Sequence, residues 1–169
     1  MKVVISGSFR KHLEGILQLK KELENNGIQV IKPDKIKTIE NRDNKEFVKF
    51  EGEKEKSQWE LEASYLKAIE ECDAHIIYNQ DSYMGMSATM ELGYRLATEV
   101  LKGKKVYLLE RPSEEKWIEQ LGNIDETEKQ DIRNWCFLLR DMEREGILGV
   151  GKDCIYRAFG IKQIDDMER

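Results

Sequence analysis

Histidine and proline are scarce, two of each in 169 residues, and the three cysteines are far apart. With only His12 and His75 to join Cys72, Cys136 and Cys154, no zinc-ligand spacing can be assembled, so no metal site is expected. An odd set of scattered thiols builds no disulfide framework either, and a reducing, cytoplasmic setting fits best. No apolar run approaches the ~20 residues that span a bilayer. The opening "MKVVISGSFRKH" turns polar too soon for a secretory signal. A net charge of −5 leaves out the basic face that a general nucleic-acid binder needs. Neither a nucleic-acid nor a membrane partner is therefore expected. Internal repeats and low-complexity tracts are also absent. What remains is a heavily charged globular chain, 36 % charged and 40 % apolar, of a length that suits one domain.

Short β-branched runs alternate with helical patterns. "KVVIS" ends at Gly7, and Leu13, Ile16, Leu17 and Leu23 then recur at helical spacing until Asn25-Asn26-Gly27. "IQVIKP" reads as a second strand, "AHIIYN" as a third and "KKVYLLE" as a fourth. Between the second and third, Ser57 and Glu60 form a capping box opening a helix to about Cys72. Asp34 to Lys56 is mostly charge, with Phe47, Val48 and Phe50 as an apolar island. That excursion is either a solvated loop or a lid. Strands and helices alternating in this way predict an α/β fold: a parallel sheet of four to five strands with helices on both faces. From Ser113 onward a helical C-terminal extension is expected to pack on the same domain, so the core spans 1–112 and the extension 113–169. In the extension Ser113 caps one helix, and Thr127 to Gln130 reads as another capping box. Ile132, Trp135, Cys136, Leu139 and Met142 form a core-facing stripe, and "CIYRAF" is a candidate edge strand.

Ligands of open parallel sheets bind beyond the carboxyl ends of the strands. That rule selects Gly7 to Arg10, Pro33-Asp34, Asn79 to Met86 and Glu110-Arg111, and leaves Asp73 as a structural start to its strand. In "SGSFRKH" the glycine allows a tight turn, Ser6 and Ser8 offer hydroxyls, and Arg10 adds a fork suited to phosphate. A plain strand-to-helix turn capped by Ser8 would have the same spacing. "GILGVGKD" imitates a phosphate-binding Walker loop, but Asp153 stands where a magnesium-binding hydroxyl belongs. A helix is also expected before it, with too little chain after it for another. Glu91 is the remaining candidate. If Ser87 caps its helix, the carboxylate sits near the positive end of the dipole, ionised and able to attack an electrophilic carbon. An acidic residue there could equally just complement the dipole.

"GSFR" after the first strand, followed by "CDAHIIYNQDSYMGMSATMELGYRLATEVLKGKKVYL", resembles the nucleoside 2-deoxyribosyltransferase-like superfamily. The likeness covers about Lys2 to Leu109 and is most specific at Gly85 and Met90-Glu91-Leu92-Gly93-Tyr94. It implies a flavodoxin-like, Rossmann-like sheet and a glutamate nucleophile at Glu91 that displaces a base from the anomeric carbon of a nucleoside or its 5′-monophosphate. A covalent glycosyl ester then passes to water or to another base, as in retaining glycosidases. No cofactor is implied. By the same resemblance Ser8 and Arg10 hold the 5′-phosphate, Asn79, Asp81 and Ser87 line the sugar, and Ser6, Gly7, Phe9 and Gly85 complete the binding set. Such enzymes are often homodimers, with Tyr83, Met84 and Met86 placed to reach a partner. Two positions depart from the pattern. Val4 replaces a first-strand tyrosine, and Tyr65 stands where an aspartate helps the base leave. Tyr65, with an ordinary pKa of ~10, is a poor acid; Glu62, one turn away, is either its substitute or a solvated residue on a charged helix. The competing expectations are a nucleotide-binding or sensing module that has lost turnover, and an interaction protein using the Trp135 face.

Overall fold

The computed structural model describes residues 1–37, 48–98 and 102–161. Among them, β1 (Lys2–Gly7), β2 (Gln29–Lys32), β3 (Ala74–Tyr78), β4 (Lys105–Leu108) and β5 (Leu148–Val150) form one parallel sheet in the order β2-β1-β3-β4-β5. This is the flavodoxin-like order, in which a ligand crevice opens where β1 and β3 send their connections to opposite faces. The expected fold class is the one found. Its central strands are buried on both faces, which is why "KVVIS" and "AHIIY" carry apolar side chains without alternation.

Register distributes those side chains. Val3 and Ile5 of β1 point to α1 (Phe9–Asn25) and α6 (Lys152–Phe159), packing with Ile16, Leu19, Leu23 and Ile155. Val4 points to the opposite face, against Ala68 and Ile69 of α2 (Gln58–Glu71) and its C-cap Cys72, with Tyr65 and Tyr94 beside them. Because Ser6 lies two residues after Val4, it shares that second face, and there it meets α2 and α3 (Met86–Thr98). On the β4 side of the same face, α4 (Glu114–Leu121) and α5 (Glu126–Arg144) bury Trp117, Ile132, Cys136 and Leu139. The α5 stripe is core, as its spacing implied.

The extension does more than pack on the sheet, because it supplies β5. The residues that imitate a Walker loop are that strand: Gly146 turns the chain, Leu148–Val150 pairs with Val106 to Leu108, and α6 follows Gly151. The helix expected before this segment is α5, while a short helix, α6, does follow it, contrary to expectation. No phosphate loop results, because the would-be loop residues are spent in the ladder. "CIYRAF" is helical, and Ile155 and Phe159, four residues apart on one helix face, both pack on the Val3 and Ile5 side of the sheet. The second capping box is Asp125 with Glu128, two residues before the expected Thr127. Ser57–Glu60 and Ser113 cap as read from the sequence.

Two polar anchors fix the start of the sheet. Asp73 accepts from the Lys2 N–H at 2.7 Å and returns its own N–H to the Lys2 carbonyl. Arg95 of α3 is completely buried and donates to the carbonyls of Ile69, Cys72, Asp73 and Lys105. The first two belong to the last turn of α2, whose carbonyls lack intrahelical partners. A cation at that negative end ties α3, α2 and the approaches to β3 and β4 together.

Candidate active site

A cavity of about 490 Å³ opens at the carboxyl end of β1 and β3, between the β1–α1 turn, the start of α2 and the start of α3. Phe9, Phe50, Leu61 and Met84 form apolar walls, and Arg10, Glu53, Glu62, Ser87 and Glu91 supply polar groups. Phe9 stands edge-on to Phe50 at 5.5 Å between centroids and to Tyr65 at 6.1 Å, so one aromatic corner lines the pocket. Phe50 and Glu53 belong to residues 48–56, whose turn is held by the Phe50 N–H on Glu53 and by Lys49 on the carbonyls of Lys54 and Lys56. That part of the charged excursion buries Phe50 and Glu53 and walls the cavity, so it is not a solvated loop. Phe47 lies outside the described residues.

Two carboxyl groups meet at the cavity floor. Glu91 comes from α3 and Glu62 from α2, and only 5 % and 7 % of their surfaces are exposed. Burial is the main reason the Glu91 pKa is pushed up to about 8; the neighbouring Glu62 charge raises it further, and the Ser6 hydroxyl draws it back. Burial also raises Glu62, which Ser87 and Glu91 draw back by hydrogen bonding. Two like charges in one apolar site do not both ionise, so near neutral pH the pair holds one proton between them.

The helix dipole does not set this balance. α3 begins at Met86, with the Gly85 carbonyl accepting the Thr89 N–H, so Ser87 is inside the first turn and caps nothing. Glu91 falls in the second turn, where the dipole has faded. Burial wins, and the carboxyl goes up rather than staying ionised as its position suggested. The Tyr65 hydroxyl is buried among the cavity-lining groups without a partner, and burial followed by the Glu91 charge raises its pKa well above 10. Tyr65 can donate a hydrogen bond but not a proton. Glu62 also has one buried oxygen with no protein partner.

On the β1 side, Gly7, Ser8, Phe9 and Arg10 all line the cavity. Gly7 is required for packing, because a Cβ there would lie 2.9 Å from the Tyr78 carbonyl. Ser8 precedes α1 but makes no side-chain cap, so its hydroxyl stays available, against the simple-cap reading. Arg10 is exposed and has no ion pair among the described residues. Ser6 does not line the cavity. It is fully buried behind Glu91, with its Oγ 2.6 Å from His75 Nε2.

Asn79 and Asp81 are not at the sugar side. Asn79 is fully buried and exchanges two 2.9 Å hydrogen bonds with the Glu110 backbone, stitching the ends of β3 and β4 together. Asp81 is exposed in a 3-10 turn (Gln80–Ser82), where Asp81 and Ser82 have φ of 54° and 62°. Ser82 fastens this turn to Arg111 and Ser113, and Gln120 donates to the Asp81 carbonyl. The turn thus aims Tyr83, Met84 and Gly85 at the cavity. Met84 is buried in its own core and cannot reach a second copy, whereas Met86 stands 91 % exposed. Sequence reasoning missed Glu53, Leu61 and Leu121. Phe50, an apolar residue inside a charged run, carried a usable signal. Leu121 carried none, because it arrives from the extension.

No protein-family model matches the chain, nor does any curated protein or solved structure. The chemistry must be read from the cavity itself.

A carboxyl whose folded pKa lies above its ordinary 4.5 favours the fold in its protonated form. That contribution is complete below about 4.5 and is lost as the pH rises through about 8. Thermal unfolding followed from about pH 5 to about pH 9 should show stability falling across this window, and Glu91→Gln should flatten the fall and raise the Tm at the alkaline end. A wild-type profile that rises toward pH 9 would contradict the shared-proton description.

Proposed function

We propose that the protein cleaves, or transfers at, the N-glycosidic bond of a nucleoside or nucleoside 5′-monophosphate. The observation that carries this reading is the pair of buried carboxyls, Glu62 and Glu91, holding one proton at the floor of an aromatic-walled cavity. Cleavage needs one carboxylate and one carboxylic acid together, and two environments that separate their protonation provide both.

At rest the shared proton favours the more deeply buried Glu91, and in the productive state it has passed to Glu62, leaving the charge on Glu91. Glu91 attacks the anomeric carbon as the bond to the base breaks, and Glu62 gives its proton to the departing base nitrogen. The product is a glycosyl ester on Glu91. Water, deprotonated by Glu62, or a second base then releases the sugar, restoring both carboxyls and retaining configuration. Phe9, Phe50 and Tyr65 provide the faces and edges that an aromatic base packs against. Ser8, Arg10 and the start of α1 offer a hydroxyl, a guanidinium and backbone N–H groups for a 5′-phosphate. The resemblance of "GSFR" and "MELGY" to the nucleoside 2-deoxyribosyltransferase-like superfamily supports the same assignment.

Incubation with a panel of nucleosides and monophosphates, followed by chromatography of released bases, tests the reaction. Glu91→Gln should reduce release by at least about a thousandfold while the protein stays folded. Full activity in that variant would end the nucleophile assignment.

The phosphate assignment has its own test. A charged guanidinium–phosphate contact contributes about 1.5–3 kcal/mol, so Arg10→Ala should weaken monophosphate binding roughly tenfold or more and leave nucleosides nearly unaffected. Equal losses for both would remove Arg10 from phosphate recognition.

A further inference from the structure

Among the buried titratable residues that the proposed mechanism does not use is a histidine. His75 of β3 has no exposed surface, and its Nε2 lies 2.6 Å from Ser6 Oγ, itself fully buried. Its Nδ1 has no hydrogen-bond partner. Burial, then the charge of Arg95 on the overlying helix, lowers the His75 pKa to about 3, so the ring is neutral at working pH. A neutral imidazole carries one N–H, and the surroundings decide which nitrogen holds it.

If the hydrogen were on Nδ1, a donor would be buried without an acceptor in the field of the Arg95 charge, and Ser6 would have to donate to Nε2. With the hydrogen on Nε2, only a lone pair is left bare at Nδ1, on a ring already under the influence of a cation. Ser6 then accepts from Nε2–H, and its own hydrogen is free for another acceptor. The group it faces is Glu91. An orphaned buried donor costs more than a satisfied one by the full desolvation of the group, which favours the second arrangement.

We infer that His75 is a positioning residue for Glu91: its Nε2–H, given to Ser6, commits the Ser6 hydroxyl hydrogen to the Glu91 carboxylate. The assignment rests on the reading of Glu91 as nucleophile, but it concerns a hydrogen-bond direction that exists without substrate. The groups that bear on Glu91 are Ser6 from β1 and Glu62 from α2; the Glu91 charge in turn bears on Tyr65, and Arg95 from α3 bears on His75. Of these, Ser6 alone draws the Glu91 pKa downward, opposing burial and Glu62. The relay thereby biases the shared proton toward Glu62, the acid, and the charge toward Glu91. It also fixes which oxygen of Glu91 remains free to attack.

The chain has only His12 and His75, so the imidazoles of the ¹⁵N-labelled full-length protein can be assigned by a single His12→Asn spectrum. His75 should show the Nε2–H tautomer, unchanged from about pH 5 to about pH 9. In ¹³C-carboxyl titrations of Glu91, Ser6→Ala should raise its proton affinity about tenfold, and His75→Phe about threefold or more. His75→Gln, which keeps an N–H donor, should return it close to wild type. An Nδ1–H tautomer would overturn the assignment, even if His75→Phe does not fold. An unmoved Glu91 titration in a folded His75→Phe protein would overturn it as well, because a merely structural histidine changes the Tm and not that pKa. Neither readout requires turnover, so a failure to release base from any nucleoside would count against the proposed reaction and leave this relay standing.

Discussion

Two carboxyl groups pressed together away from water are the constraint around which the rest of the site is arranged. An unpaired buried carboxylate is expensive, and two of them side by side more so. The pair Glu62 and Glu91 lowers that cost by holding one proton, and each neighbour contributes to where the proton lies. Ser6 stands behind Glu91, Ser87 beside Glu62, and the protonated Tyr65 hydroxyl closes the floor. On the proposed reading, the same low polarity that makes the pair costly makes it reactive. A cavity that offers an acid and a carboxylate simultaneously near neutral pH suits the breaking of a glycosidic bond.

The scaffold brings these groups together by ordinary packing. β1 and β3 pair residue for residue from Val3–Ala74 to Gly7–Tyr78, which sets His75 and Ser6 within hydrogen-bond reach on one face. α2 and α3 pack over that face, and Arg95 locks the end of α2 to the beginnings of β3 and β4. Consecutive positive φ angles at Asp81 and Ser82 cost about 1–2 kcal/mol each, and the bonds from Ser82 and Gln120 hold them there. The C-terminal extension is therefore part of the site's framework. It supplies the fifth strand, the Gln120 latch and the Leu121 rim.

Much of this could be read from the chain, and the parts that could not have definite causes. Central strands announce themselves as short β-branched runs and helices α1 and α5 as apolar stripes, because burial enforces both patterns locally, while α2 is announced by its Ser57–Glu60 capping box. Glu91 was legible because it is a lone carboxylate among small and apolar neighbours just past a buried strand. Its protonation was not, since that depends on Glu62 arriving from another helix and on a helix start one residue before the expected cap. Asn79 and Asp81 occupy the right loop, yet side-chain direction, which spacing does not encode, sends one into the β3–β4 joint and the other to solvent. The β5 strand was hidden by its brevity and its glycines, and the edge-strand reading fell on the α6 helix that follows it. His75 looked like one more strand residue until its partner across the sheet was known.

The most direct measurement is rapid acid quenching of the protein with a nucleoside or nucleoside 5′-monophosphate that the base-release panel finds cleaved, followed by peptide mass spectrometry. A glycosyl-enzyme mechanism predicts a sugar or sugar-phosphate adduct on the peptide containing Glu91, localised to that side chain and absent from Glu91→Gln. Base release proceeding at full rate with no adduct at Glu91, or with the adduct on another residue, would contradict it.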